Sequence, residues 1–207
     1  MARYQETNTE RQILEAAERV FLLQGFAGAR TTEIARQAGV THAMLHYYFH
    51  TKEELFQTIL KGKLAVLMES IRVMLVDEKM PIMDAIEMGM RRHFEYIRKN
   101  ASLPLFLLNE LSRNSEILTN VRKQMLPKLE DILFDAQQRL DEAAEEGVIR
   151  FVRAQTLFMD IAMLNISAFL FQPVIEFLTE DRPLPMSDYL EQRLEENVQL
   201  VRLKLKV

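Results

Sequence analysis

The stretch TTEIARQAGVTHAMLHYYFHTKEE, residues 31–54, predicts two short helices that meet at a tight turn. Thr31 or Thr32 can cap a first helix that runs through Ala38, because a hydroxyl satisfies amides left unpaired at a helix start. Gly39 follows and ends that helix, since glycine adopts the left-handed backbone conformation most readily. Two helices joined in this way form a helix-turn-helix, whose second helix is built to enter a DNA major groove.

The second helix and the one after it carry their own start signals. Thr41 caps the second helix, which runs through Tyr48. Thr51-x-x-Glu54 is a capping box and opens the next helix.

A helical wheel predicts which face of the second helix is free. At 3.6 residues per turn, its small and hydrogen-bonding side chains share an arc of about 140°. They are His42, Ala43, His46 and Tyr47. The opposite side carries Met44, Leu45, Tyr48 and Phe49. Polar groups therefore point outward, as they must on a helix that reads base edges.

The same segment resembles the DNA-binding domain of TetR-family transcriptional repressors. The similarity begins with Ile13-Leu14-x-Ala16-Ala17-x-x-x-Phe21-x-x-x-Gly25-Phe26. It continues with Thr31-Thr32-x-Ile34-Ala35-x-x-Ala38-Gly39-Val40-Thr41 and ends with Leu45-x-Tyr47-x-Phe49-x-x-Lys52-x-x-Leu55. The chain departs from the family at Ala43, which is often Gly, and at His46, which is often Tyr. Both positions lie on the reading face and therefore bear on base preference.

Composition and length predict an all-α protein with two parts. The chain has 207 residues, of which 48% are hydrophobic, and only six Gly and six Pro. Helical periodicity and the resemblance together predict an N-terminal three-helix helix-turn-helix head on a larger C-terminal helical body. We place the DNA-binding domain at residues 1–52, with its motif at about 31–50, and the effector-binding and dimerisation domain at 53–207.

Cysteine content and hydropathy favour a soluble, cytoplasmic protein. The chain has no cysteine and hence no disulfide or thiol chemistry. Its N-terminal residues lack the apolar core of a signal peptide. The segment most like a membrane span is 157–178, but it has too many polar or helix-breaking residues. These are Asp160, Asn165, Gln172, Pro173 and Glu176. A helix buried on nearly all sides, bent or ended by Pro173, is the better interpretation.

The net charge of −4 looks unfavourable for DNA binding until the chain is divided. Residues 1–63 carry eight Lys or Arg and seven Asp or Glu, which leaves 18 basic and 23 acidic residues for the remainder. The head is therefore at +1 and the body at −5. Binding should depend on a few placed contacts rather than a polybasic arm, and should weaken with salt.

The resemblance implies roles for eight residues of the head. We expect Thr31, Thr41, Tyr47 and Lys52 to hold phosphates. We expect His42, Ala43, Met44 and His46 to face bases. The alternatives are plain caps for the two threonines, a core-edge Tyr47 and a solvated Lys52.

His42, His46 and His50 recur at every fourth position, which is a spacing that can seat a metal. No HExxH motif, carboxylate or Cys completes a ligand set, so we predict no metal site. A hydrogen-bonding role towards DNA is the better interpretation, and histidines there would make affinity depend on pH.

The body is rich in Met and Phe, which suit either an ordinary core or a pocket for varied apolar ligands. The candidate pocket residues are Met68, Met90, His93, Phe94, Asn109, Met125, Asn165 and Phe169. Two apolar helices near the C-terminus predict a homodimer through a four-helix interface, which is also usual in the resembled family. The candidate interface residues are Phe158, Ile161, Leu164, Leu190, Leu194, Val198, Val201 and Leu205.

These features predict a ligand-responsive DNA-binding regulator, most simply a repressor. As a homodimer it would bind a palindromic operator in double-stranded DNA and be released by a small apolar or amphipathic effector. An activator, or a regulator without an effector, stays open. An enzyme is disfavoured because no phosphate-cradling loop, G-x-S-x-G or carboxylate pair is present, so we expect no catalytic residues and no cofactor. The main alternative is a lipid carrier or protein-interaction module with a vestigial helix-turn-helix.

Overall fold

The computed structural model describes residues 8–76, 80–113, 115–180 and 185–207. Within these ranges the chain forms ten helices and no strand, so the all-α prediction is confirmed. The helices are α1 (Asn8–Gly28), α2 (Thr31–Ala38), α3 (His42–Tyr48), α4 (Lys52–Val76), α5 (Ile82–Lys99), α6 (Leu103–Arg113), α7 (Ser115–Glu145), α8 (Ala154–Leu170), α9 (Gln172–Leu178) and α10 (Met186–Leu205).

Contacts between α-carbons group the chain into two compact units. The first comprises residues 1–65 with 106–122, and the second comprises 66–105 with 123–207, in each case within the described ranges. Both α4 and α6 contribute residues to each unit, so this grouping does not follow the division between residues 52 and 53. That domain boundary, which marks the end of the helix-turn-helix, stays a prediction.

The turn of the helix-turn-helix forms as the sequence predicts. Gly39 ends α2 in the left-handed conformation, with φ of 69° and ψ of 26°. The amide of Met44 donates to Oγ1 of Thr41 at 3.1 Å, which caps α3. The amide of Glu54 donates to Oγ1 of Thr51 at 3.0 Å, and this is one half of the capping box. The Glu54 carboxylate accepts from His50 N rather than from Thr51 N.

The expected cap of α2 by Thr31 or Thr32 does not form. Arg30, in an extended conformation, precedes α2, and no side chain caps that helix. The hydroxyl of Thr31 lies instead 3.0 Å from Nε2 of His42, so it links α2 to α3. The last helix likewise starts after Pro185 without a side-chain cap, and Ser187 Oγ donates to the neighbouring Asp188.

The core of the first unit forms around an aromatic cluster and a break in α1. Phe56 meets Phe21 and Phe106 with ring centroids 5.0 and 5.7 Å apart. Gly25 interrupts α1 with φ of 68° and ψ of 174°, outside the helical region. The amide freed there, that of Phe26, donates to the Glu110 carboxylate at 3.1 Å. A residue from α6 thus satisfies the backbone at the end of the first helix.

The second unit has a single apolar core with a buried polar row. Its cluster comprises residues from α5, α7, α8 and α10 together with Ile149 and Val152. Asn165 and Asn197 are fully buried within this unit, and the Nδ2 atom of Asn197 donates to the Asn165 Oδ1 atom at 3.2 Å. Outside the core, Arg91 on α5 bridges Glu195 on α10 at 2.5 Å.

The apolar segment near the C-terminus is two helices rather than one. Pro173 lies in the first turn of α9, and α8 and α9 are bent by 51° at the break before it, as expected. Among the described helices none is by itself long and apolar enough to cross a membrane; only the bent pair has the length and composition.

The conformation of Gly39 yields a matched stability test. A Cβ at Gly39 meets no atom within 4 Å, but φ is positive there. Gly39→Ala should therefore lower the free energy of unfolding by about 1 kcal/mol through backbone strain alone. Gly62→Ala, in the interior of α4 and equally unobstructed, should raise it by about 0.5–1 kcal/mol. Urea unfolding of both variants measures this; shifts of the same sign would contradict it.

Candidate functional site

The short helix α3 presents one face to solvent and buries the other. Leu45 is fully buried and Phe49 nearly so, whereas Tyr47 is 77% exposed. His42 and Ala43 are also exposed, as the wheel predicts. Met44 is 44% exposed, so its placement on the buried side of the wheel is wrong, and it lies with the candidate reading residues.

A row of hydrogen bonds links the polar groups on this face. Nε2 of His42 lies 3.0 Å from the Thr31 hydroxyl and 3.2 Å from Nε2 of His46. Nδ1 of His46 lies 3.2 Å from the carbonyl oxygen of His50, so Nδ1 must donate. In a neutral His46 the Nε2 atom then accepts, and His42 Nε2 is the donor between the rings. The two imidazoles hold each other in place across one turn of the helix.

The described residues include no group of three His, Cys, Asp or Glu side chains placed to hold a metal ion. The hydroxyl of Thr31 and the ring of His46 are half-buried, while Thr41 is exposed. The four residues expected to face bases and Tyr47 therefore lie on α3, while Thr41 caps this helix and Thr31 begins α2.

Lys52 has a structural role that the sequence did not reveal. Its ammonium donates to the carbonyl oxygens of Phe26 at 2.9 Å and Ala29 at 3.2 Å. The same ammonium lies 4.5 Å from the centroid of the Phe26 ring, a cation–π distance. An ammonium has three donors, so a phosphate contact is compatible with both hydrogen bonds. The predicted phosphate role of Lys52 stays a prediction.

The second unit contains an apolar cavity of about 30 Å³. Its apolar wall comes from α5, α7 and α8. The wall residues are Ile86, Leu133, Ala136, Leu140, Ala154, Leu157, Phe158, Ile161 and Ala162. His93 is the one polar residue in the wall. This space is close to that of one water molecule, so the ligand-free cavity is nearly closed.

The buried polar row fixes the tautomer of His93. Nδ2 of Asn165 donates to the Met90 carbonyl at 3.0 Å and lies 3.1 Å from Nδ1 of His93. The Asn165 amide cannot be flipped, because its Oδ1 accepts from Asn197, whose own Nδ2 donates to the Leu164 carbonyl. Nδ1 of His93 is therefore the acceptor, and the proton is on Nε2.

Burial also keeps His93 uncharged. The residue is 3% exposed, and desolvation lowers the pKa of its imidazole from 6.5 to about 4. Protonation would place an Nδ1–H against the Asn165 amino group, which is unfavourable for a second, independent reason. At neutral pH the side chain is a neutral Nε2–H donor.

Of the eight candidate pocket residues, only His93 lines the cavity. Asn165 lies behind it, and Met90, Phe94 and Phe169 are packed in the core. The other three do not line this cavity: Asn109 is exposed, and Met68 and Met125 are half-buried. Composition indicates that the body has apolar residues but does not show which faces of its helices line a cavity. The cavity wall was missed because it consists of alanines and aliphatics typical of any core.

The candidate dimer residues need a similar correction. Six of the eight are buried by their own chain and cannot present a surface to a partner. These are Ile161, Leu190, Leu194, Val198, Val201 and Leu205. Phe158 and Leu164 are half-buried. The stripe at helical spacing marked the inner face of α10 rather than an interface.

Comparisons with known proteins agree with this geometry. Residues 13–59 match the family model described as bacterial regulatory proteins, tetR family. The fatty acid metabolism regulator protein of Bacillus subtilis is 26% identical over 137 residues, which span 66% of each chain. The regulator TtgR of Pseudomonas putida is 44% identical over 52 residues, a quarter of each chain. A Clostridium perfringens structure assigned to a fatty acid metabolism regulator has a TM-score of 0.71 and 21% identity, covering 95% of this chain and 99% of that one.

The fold and the face of α3 define a helix-turn-helix protein with a helical C-terminal body. The match of residues 13–59 to the tetR family model confirms the resemblance seen in the sequence of the helix-turn-helix. The curated relatives are matched over two thirds of their length or less.

The neutral state of His93 should appear in the pH dependence of stability. Its pKa is lower in the folded than in the unfolded chain, so unfolding takes up a proton between pH 6.5 and about 4. Stability is then complete above pH 6.5 and falls as the pH drops through this window. At pH 5 the loss should be about 2 kcal/mol.

Urea unfolding at pH 7 and pH 5 measures this loss, and His93→Gln is the control. All other titrating groups are common to both chains, so the difference between the two pH profiles isolates His93. If the stabilities of the two chains change equally with pH, folding does not lower the pKa of His93.

Proposed function

We propose that this protein is a ligand-responsive transcriptional regulator that binds a palindromic DNA operator as a homodimer in the cytoplasm. Its default role is repression, relieved by a small apolar or amphipathic effector. The observation that carries the proposal is the exposed, hydrogen-bonding face of α3 within the segment that matches the tetR family model.

The face of α3 supports direct reading of bases. His42 and His46 carry hydrogen-bonding nitrogens, and Ala43 between them lets the helix backbone approach the groove closely. Thr31 and Thr41 at the helix starts, with the exposed hydroxyl of Tyr47, are placed to contact phosphates. Side chains held by their neighbours before binding lose less conformational entropy when the complex forms.

Two observations support an apolar effector, and a third bears on how it would act. The cavity of the second unit is lined by apolar side chains and one histidine. The Bacillus subtilis relative is named a fatty acid metabolism regulator, which is consistent with a ligand that has an apolar chain. The cavity is too small in the ligand-free state for such a molecule, so binding must repack its wall and thereby favour a different conformation.

The exposed faces of α8 and α10 support a dimer. Met159 and Met163 on α8, with Leu200 and Leu203 on α10, are large apolar side chains open to solvent. A groove on this side includes Met163 and Leu200 together with Lys204, which forms an ion pair with Asp160. An apolar patch with charges at its rim is typical of an interface between identical subunits.

The affinity for DNA should depend on Tyr47, whereas the stability of the fold should not. Tyr47→Ala should weaken operator binding by about five- to tenfold, because one phosphate hydrogen bond is lost. Its high exposure means that stability should be unchanged. Leu23→Ala, at a position 82% exposed on α1 of the same unit, is the matched control and should bind as the parent does.

Selection from random duplex DNA supplies the operator for this measurement, and fluorescence anisotropy at two salt concentrations gives the affinities. An enriched palindrome with half-sites about one DNA turn (~34–36 Å) or a multiple apart is expected. A carrier with a vestigial helix-turn-helix would enrich no sequence and would be indifferent to Tyr47→Ala.

Dimerisation should depend on the exposed face of α8. Met163→Glu should raise the dimer dissociation constant by at least about tenfold, because a carboxylate would be buried without a partner. Phe151→Glu, at an exposed apolar position elsewhere in the same unit, is the control and should leave the dimer intact. Sedimentation equilibrium measures both variants, and equal dissociation constants would exclude this face as the interface.

A further inference from the structure

His93 lines the cavity of the second unit and has one buried ring nitrogen without a partner in the described part of the chain. Nε2 of His93 is buried and has no hydrogen-bond partner among the described residues. The other ring nitrogen accepts from Asn165, so the proton is on the unpaired Nε2 atom. An unsatisfied buried donor destabilises the folded state, and native proteins rarely keep one without a reason.

A water molecule does not explain this donor. A buried water needs two to four polar partners, as a rule about three. The cavity wall offers His93 alone, because its other members are apolar. A ligand that satisfies this donor must therefore be largely apolar and must carry one hydrogen-bond acceptor.

We propose that His93 is the specificity-determining donor of the effector site: its Nε2–H binds an uncharged oxygen acceptor on a compact apolar molecule, such as a ketone, an aldehyde or an ester. This inference rests on the proposed effector response. The inference assigns a chemical class to the effector, namely a neutral carbonyl compound rather than an acid.

The wall explains why an anion is excluded. A carboxylate moved into an apolar site needs a cation or several donors, or its desolvation is not compensated. The wall has no Lys or Arg, and His93 is held in its neutral form by Asn165. One neutral donor suffices for a carbonyl oxygen but not for a carboxylate.

The same wall shows where a ligand gains space. Leu133 and Phe158 are only partly buried, whereas Leu140, Leu157 and Ile161 are inside the core. Outward rotation of the first two side chains enlarges the cavity at the least cost in buried area. Since both lie on long helices, α7 and α8, the ligand-bound wall is a different packing of the second unit.

Three probes of nearly equal shape test the proposal: acetophenone, isopropylbenzene and benzoate. Acetophenone has the neutral acceptor, isopropylbenzene has none and benzoate carries the charge. Methyl NMR titrations of the full-length protein at pH 7.5 measure binding through the Ile, Leu and Ala resonances of the wall. Acetophenone should bind about five- to tenfold more tightly than isopropylbenzene, and benzoate should not bind.

His93→Phe keeps a ring of similar size and removes the donor. Acetophenone should then bind no better than isopropylbenzene, whose affinity serves as the internal control for an intact cavity. A second measurement needs no variant: long-range ¹H–¹⁵N correlation should show His93 as the neutral Nε2–H tautomer, with its Nε2 resonance shifted by acetophenone alone.

Several outcomes would overturn the inference. They are equal binding of acetophenone and isopropylbenzene, binding of benzoate, a charged or Nδ1–H imidazole, or no binding of any probe. DNA selection on the same preparations keeps the two proposals apart. If the protein binds an operator but the probes do not behave as expected, only the proposed carbonyl ligand is rejected. If the protein binds no operator, the proposed regulator function is rejected.

Discussion

The first unit depends on the two backbone polar groups of a single residue, Phe26. Gly25 leaves the helical region just before it, so the helix no longer satisfies the Phe26 amide, which donates to the Glu110 carboxylate. The carbonyl of the same residue accepts from the Lys52 ammonium. A Cβ at residue 25 would lie 2.9 Å from that carboxylate oxygen, so only glycine allows both the turn and the approach. The direction in which the chain leaves α1 is set by these two charged side chains.

Under the proposed function, the helices that supply those side chains connect DNA recognition to the effector response. Lys52 begins α4 and Glu110 lies in α6, and each of these helices has residues in both compact units. Under the proposed function, an effector that repacks the second unit acts on two helices that also hold the backbone N–H and C=O of Phe26. Charge-assisted hydrogen bonds to a backbone group are directional, so a small shift of either helix changes their geometry. The coupling then needs no contact between effector and DNA.

The parts of the structure that the sequence predicted are those set by local interactions. Gly39, Thr41 and Thr51 act within four residues along the chain, and their conformations follow from steric and hydrogen-bonding rules. Lys52 could not be interpreted in the same way, because its partners lie 23 and 26 residues earlier. The stripe on α10 was correctly seen as apolar, but periodicity does not tell whether the covering surface is the same chain or a second copy. The residues of a cavity wall cannot be predicted from the sequence for a related reason. An alanine beside a cavity gives the same sequence pattern as an alanine in a packed core.

The buried polar row of the second unit needs an explanation beyond stability. Replacing Asn197, Asn165 and His93 with aliphatic residues of similar volume would remove buried polar groups at little or no loss in stability, as is often true of buried polar networks. Apolar residues, however, could not determine which ring nitrogen of His93 carries the proton. Asn197 fixes the amide of Asn165, and that amide makes Nδ1 of His93 an acceptor. The row thereby fixes the proton on the nitrogen that has no partner among the described residues, which is the arrangement that the proposed carbonyl ligand requires.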